Sequence, residues 1–167
     1  AGLYLRNIST NFYRKDKLWF TRFLKTNPSK FDKQFEPEAK IIAYDKLMSY
    51  MQATKKNAQI AGVSKYITVS KIDLEWLDTK LDKGQVDKIV TIMPSLTKNT
   101  NEKEIEKIYR EFFHQADYVL DELGKIVFII NNDKFFKDCL AKISEMKKFE
   151  IDKERNVMQG SMELKVI

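Results

Sequence analysis

Two carboxylates stand where an alternating helix and strand pattern would place ligand-holding groups. Asp45 closes the short run Lys40-Ile41-Ile42-Ala43-Tyr44, and Asp73 lies just beyond a second run, Tyr66-Ile67-Thr68-Val69. Open α/β sheets bind ligands at the carboxyl ends of their strands. An acid at the end of the first run can accept two hydrogen bonds from a ribose diol. The plainer reading is an Asp that caps a helix starting near Leu47. Asp73 can accept from an adenine amino group, or it can be an ordinary surface turn. Two acids after two successive strands weigh more than either one. A third run, Val86-Asp87-Lys88-Ile89-Val90-Thr91-Ile92, leads into Met93-Pro94-Ser95, a third strand end that matters for chemistry.

Other chemistries are narrowed by counting. The chain has one cysteine, Cys139, and one histidine, His114. A multi-cysteine zinc site and an intramolecular disulfide are ruled out. Cys139 reads as a buried structural thiol. His114 falls within an amphipathic pattern and reads as a helix-face residue, so no Ser-His-Asp set is expected. Lys and Arg number 30 against 24 Asp and Glu, a formal net charge of +6. That balance suits a polyanionic partner such as RNA or DNA, and equally suits a well-solvated surface. No apolar run approaches the roughly 20 residues of a membrane span, and no signal peptide is visible. A cytoplasmic protein is the simple expectation.

The elements that must position these groups follow from periodicity. The 167 residues suit one domain with a core of its own. Ala1 to Ile8 reads as the end of a helix. The chain opens there without an initiator Met, which suggests processing or a fragment of something longer. Phe12 to Phe35 mixes aromatics and cations, with a helix expected over Lys15–Lys25 and a loop at Asn27-Pro28. Such interleaving can bind single-stranded nucleic acid. It can also be an amphipathic helix that turns Trp19, Phe20 and Phe23 to the core.

From Lys40 the pattern alternates. A strand ends at Asp45, and a helix over Leu47–Ala61 is stopped by Gly62. Strands follow at Tyr66–Val69 and Val86–Ile92, with a short turn or helix at Leu74–Leu77 between them. Asn101–Leu120 carries Ile105, Ile108, Tyr109, Phe112, Phe113, Ala116, Val119 and Leu120 at helical spacing. Gly124 is expected to break that helix before the strand Lys125–Ile130. Asp133 is expected to cap a helix running to about Ser144. Phe149-Glu150-Ile151 starts an expected closing strand. A turn at Gln159-Gly160 precedes a last strand in which Met162, Leu164 and Val166 alternate with polar residues. The order implies an α/β fold: a mostly parallel sheet with an antiparallel hairpin at its C-terminal edge.

A family resemblance rests on particular runs. Ile41-Ile42-Ala43-Tyr44-Asp45 precedes Ala53-Thr54-Lys55-Lys56-Asn57-Ala58 and Ala61-Gly62-Val63. This resembles the class I S-adenosylmethionine-dependent methyltransferases, where a strand ending in an acid leads to a helix closing "Ala-x-x-Asn-Ala-x-x-Ala-Gly". Asp87-Lys88-Ile89-Val90-Thr91 with Pro94 sits where that family has "Asp-x-Ile-Val-x-Asn-Pro-Pro-Tyr". Glu106 to Phe112 is similar to the next helix of the RNA guanine-N2 methyltransferases linked to THUMP RNA-binding domains. Ala1-Gly2-Leu3-Tyr4 weakly resembles the helix after that family's glycine-rich loop.

The resemblance implies a Rossmann-like methyltransferase fold lacking its first strand, and S-adenosylmethionine as cofactor. Asp45 would hold the ribose hydroxyls and Asp73 the adenine, with no metal. RNA, tRNA in particular, would be the substrate. An accessory RNA-binding domain or partner subunit would complete the assembly. Ser95, Thr97, Lys98 and Asn99 would lie nearest the acceptor, with Lys98 able to contact phosphate. Two departures stand out. The glycine-rich first motif is not found after Ala1. The Asn-Pro-Pro-Tyr motif reads Ile92-Met93-Pro94-Ser95, so that Pro94 and Ser95 remain as the acceptor-side residues. The Ile92 side chain cannot accept a hydrogen bond from a target amino group. Ser95 replaces the aromatic that would stack on a flipped base. A catalytic domain, a non-catalytic protein of the same fold that binds RNA or a partner, and an unrelated nucleotide-binding protein such as a small oxidoreductase all remain open.

Overall fold

The computed structural model describes residues 40–97 and 100–167. The expected helices at Ala1–Ile8 and Lys15–Lys25, the loop at Asn27-Pro28, and Lys98 and Asn99 lie outside the described residues. The chain divides into two compact units, 1–73 and 74–167.

In the first unit, β1 (Ile41–Asp45) and β2 (Ile67–Lys71) pair in parallel, from Ile41 opposite Ile67 to Asp45 opposite Lys71. A parallel pair needs a crossover, and α1 (Met48–Ile60) supplies it. Gly62 ends α1 as expected, with a positive φ of 66°. Val63 N–H donates to the Ala58 carbonyl at 2.9 Å, and Gly62 N–H to Gln59 at 3.0 Å. These two bonds form a Schellman cap. Ala58, Val63 and Tyr66 form the small core beside it. Tyr66 therefore sits in a one-turn 3-10 helix, Ser64–Tyr66, and β2 begins one residue later than its aromatic character suggests.

The second unit begins with a 3-10 segment, Leu74–Thr79. There follow β3 (Val86–Ile92), α2 (Glu102–Val119), β4 (Leu120–Ile130), α3 (Asp133–Lys142), β5 (Arg155–Gln159) and β6 (Met162–Val166). The sheet order is β3-β4-β6-β5, with β3 and β4 parallel and both β6 pairings antiparallel. The expected hairpin is thus present, and β5 is the outer strand. The sheet is mixed, as a Rossmann-like fold with a terminal hairpin requires.

Asn101 caps α2 by accepting from Lys103 N–H at 3.0 Å. Ile105, Tyr109, Phe112, Phe113, Ala116 and Val119 form its buried stripe. They pack with Phe128 and Ile130 of β4 and with Phe135, Phe136 and Cys139 of α3. Phe113 meets Phe128 edge-on at 6.2 Å, and Phe128 meets Phe136 at 5.0 Å. Cys139 is fully buried, and burial pushes its thiol up to about 11. The opposite face of β3 is exposed: Val90 and Ile92 are 78% and 74% accessible. Among the described residues one polar side chain is buried in the core. Gln115, 4% exposed, accepts from Asp78 N–H at 3.0 Å and donates to Glu111 at 3.0 Å. It fastens the 3-10 segment to α2.

Three local expectations are corrected. Gly124 does not break α2. The helix ends at Val119, because Leu120 turns extended (φ −76°, ψ 141°), and Gly124 lies inside β4. There the register jumps: Val86 faces Leu120, but Lys88 faces Lys125. The extra β4 residues form a bulge, in which Asp121 accepts from Leu123 N–H at 3.1 Å. Asn132, not Asp133, caps α3, accepting from Phe135 N–H at 3.0 Å. Asp133 is drawn instead to Lys165 at 2.8 Å and Lys137 at 3.0 Å, which hold its carboxyl below the usual carboxylate range. The segment Phe149–Ile151 is not a strand. Phe149 packs edge-on against Phe113 at 5.2 Å, and the closing strand starts at Arg155.

The bulge has no room for a side chain at position 124. A Cβ there would fall 2.2 Å from Leu120 Cδ2 and 2.8 Å from the Asp121 carbonyl oxygen. We expect Gly124→Ala to lower unfolding stability by about 1–3 kcal/mol, the usual cost of overpacking. Urea denaturation reads this directly; an unshifted midpoint would mean that the bulge relaxes freely.

Candidate functional site

The first unit brings Asp45 and Asp73 to the same edge. Asp45 ends β1, and its pairing partner Lys71 ends β2, two residues before Asp73. The Asp45 carbonyl accepts from Ile72 N–H at 3.1 Å, locking the chain beside Asp73. Asp45 Oδ1 accepts from Leu47 N–H at 2.7 Å. The helix-capping position itself is Leu47, so Asp45 orders the turn into α1 without capping the helix. The second carboxylate oxygen of Asp45 has no hydrogen-bond partner among the described residues. It sits on a half-buried residue at the carboxyl end of a parallel strand.

The run Ile92-Met93-Pro94-Ser95 belongs to the second unit. Ile92 ends β3, and its side chain is exposed. Met93 turns inward to 3% exposure and joins the core. Its N–H donates to the Ile129 carbonyl at 3.1 Å, extending the parallel ladder one step past the strand. Pro94 and Ser95 follow, half-buried. The Pro94 carbonyl accepts from the Tyr109 hydroxyl at 3.1 Å. Thr97 then closes a tight turn: its N–H donates to Thr100 Oγ1 at 2.6 Å.

Sequence reading treated Tyr109 only as a core residue. The signal was its type, since a Tyr in an otherwise Phe-lined buried stripe needs a partner for its hydroxyl. Tyr109 is 2% exposed, and burial pushes its phenol up to about 12. It therefore remains a neutral donor across ordinary pH. Its ring meets Phe135 edge-on at 5.7 Å. His114 is exposed on α2, as expected of a helix-face residue. Among the described residues no group of three or more His, Cys, Asp or Glu side chains is placed to hold a metal ion. No helix among them is long and apolar enough to cross a membrane.

Comparison with known proteins agrees with this architecture. The family model described as UPF0020, RMKL-like, methyltransferase domain, matches residues 1–165. The chain belongs to the RMKL-like methyltransferase domain family. A curated relative of the domain is the tRNA (guanine(6)-N2)-methyltransferase of Methanocaldococcus jannaschii, 31% identical over 127 residues. That match covers 76% of this chain and 32% of the relative, so the chain spans about a third of the relative's length. Among solved structures, TrmN from Thermus thermophilus aligns with a TM-score of 0.65 at 20% identity, over 83% of this chain and 37% of that one. SMU.472, solved in complex with SAH, aligns with a TM-score of 0.64 at 12% identity, over 96% of this chain and 39% of that one. At those identities the likeness speaks for the fold, which is that of the Rossmann-like methyltransferases.

The Tyr109 hydroxyl anchors the loop of Pro94 and Ser95. Tyr109→Phe removes that bond while keeping the ring, and should cost about 1 kcal/mol of stability. Amide exchange at Met93, whose N–H donates to the Ile129 carbonyl, should quicken correspondingly. Unchanged exchange at Met93 would show that the loop is held by something else.

Proposed function

We propose that this chain is part of an enzyme that transfers a methyl group from S-adenosylmethionine to RNA, tRNA in particular. The observation that carries this reading is the 31% identity to a tRNA guanine-N2 methyltransferase. The geometry supports it with two acids side by side at the carboxyl edge of a parallel pair. Asp45 keeps one carboxylate oxygen for a ribose diol, and Asp73 stands next along that edge for an adenine amino group. These residues fit the nucleoside end of the cofactor. When bound, the cofactor supplies a methyl group on a sulfonium centre. The work of the protein is then to bind, orient and exclude water, so that donor and acceptor meet in line. The loop of Pro94 and Ser95, tied down by Tyr109, serves the acceptor side. Ile92 and Met93 stand in the degenerate positions of that run; neither side chain offers a hydrogen bond, and that of Met93 is buried in the core.

The net charge of +6 suits contact with a phosphate backbone. The protein works in the cytoplasm in this reading, with an accessory RNA-binding domain or a partner subunit supplying further contacts to RNA.

Calorimetry with S-adenosylhomocysteine tests the cofactor role in the protein as the cell makes it. Asp45→Ala should weaken binding about ten- to a hundredfold, the range of a lost charge-assisted hydrogen bond. Equal affinity in wild type and variant would remove Asp45 from the site. For RNA, the logarithm of tRNA affinity should fall linearly and steeply with the logarithm of salt concentration. A flat response would argue for a protein partner in place of RNA.

A further inference from the structure

We infer that Asn131 supplies the hydrogen-bonding group for the target base that Ile92 cannot supply; this rests on the methyl-transfer reading above. The first support is position. Ile92 and Ile129 are the last paired residues of the parallel β3–β4 ladder. Pro94 and Asn131 each lie two residues further on. Neighbouring strands stand about 4.8 Å apart, so the Pro94 loop and Asn131 leave the sheet side by side. The Met93 to Ile129 hydrogen bond at 3.1 Å keeps the two chains in register up to that point.

The second support is rigidity. The Tyr109 hydroxyl holds the Pro94 carbonyl, and the Tyr109 ring packs on Phe135. Phe135 N–H in turn donates to the Asn132 side chain at 3.0 Å. One aromatic pair therefore fastens both the acceptor loop and the turn that carries Asn131. A substrate-binding group is useful only if its neighbours hold it in place.

The third support is availability. Of the described polar side chains on this rim, Ser95 and Asn131 make no hydrogen bond to the described residues, and Ser95 has a single oxygen where an amide has a separate acceptor and donor. Asn132 caps α3, Asp133 pairs with Lys165 and Lys137, and Thr97 bonds within its own turn. Asn131 is exposed, and its amide makes no hydrogen bond to the described residues. An amide oxygen accepts from an exocyclic amino group, and the amide nitrogen donates to an adjacent ring nitrogen or carbonyl. That pair of functions matches the edge of an amino-bearing base. Being uncharged, the amide orients the amino nitrogen without competing for its proton.

The test is methyl transfer to tRNA purified from a strain lacking this gene, with labelled S-adenosylmethionine and the complete protein. Asn131→Ala and Asn131→Leu should each lower kcat by about ten- to a hundredfold, as loss of a preorganised hydrogen-bonding group does. Asn131→Asp keeps an acceptor oxygen but loses the donor and adds a charge, so its turnover should fall between wild type and Asn131→Leu. S-Adenosylhomocysteine affinity and melting temperature should match wild type in all three. Full turnover in Asn131→Ala overturns the assignment. So does an Asn131→Asp protein as inactive as Asn131→Leu, or a loss of S-adenosylhomocysteine binding in step with turnover, either of which would mark position 131 as structural. A wild-type protein that binds S-adenosylhomocysteine yet methylates no tRNA would instead overturn the reading beneath it.

Discussion

Much of the second unit depends on the packing of the α2 aromatic stripe against β4 and α3. Tyr109, Phe112 and Phe113 occupy one face of a single helix. Tyr109 reaches α3, Phe113 reaches β4 and Phe149, and Phe112 meets Phe113 edge-on. A parallel strand pair can form only where a crossover element covers it. Here the covering helix also fixes the two loops at the carboxyl edge. Burial of apolar surface and placement of these loops are therefore one interaction.

The first unit reaches its carboxyl edge by a different route. α1 buries only Met51 and Ala58, and no side chain caps its start. Its ends are set by backbone geometry, through the Schellman cap at Gly62 and the tight turn that Asp45 closes on Leu47. A carboxylate that orders its own loop with one oxygen presents the other in a fixed direction, an arrangement suited to recognising a diol.

Long periodic segments were legible from residue order alone. β3 runs over Val86–Ile92 as read, and the core stripe of α2 is the one its spacing gives, except that Ile108 is exposed, Leu120 lies past the helix and Gln115 is buried. Junctions were not, because they turn on competition between side chains distant in sequence. Asp133 has the right type for a cap, but Lys165, 32 positions away, takes its carboxylate. Phe149 looks like strand material, but Phe113 provides a better place for its ring. Gly124 has the look of a helix stop, while its actual constraint is the Leu120 side chain inside a bulge. Asp45 and Asp73 were legible because the rule that finds them concerns strand ends. Asn131 belongs to no motif; only the β3–β4 register sets it beside Pro94.

The buried thiol has a practical side. Cys139 is the single cysteine of the chain, and it is fully enclosed between α2, β4 and α3. Thiolate is the reactive form, and with a thiol raised to about 11 almost none is present at neutral pH while the core stays shut. Alkylation then proceeds only through openings that expose α3. The labelling rate of one native atom thus becomes a clock for core breathing, free of any engineered probe.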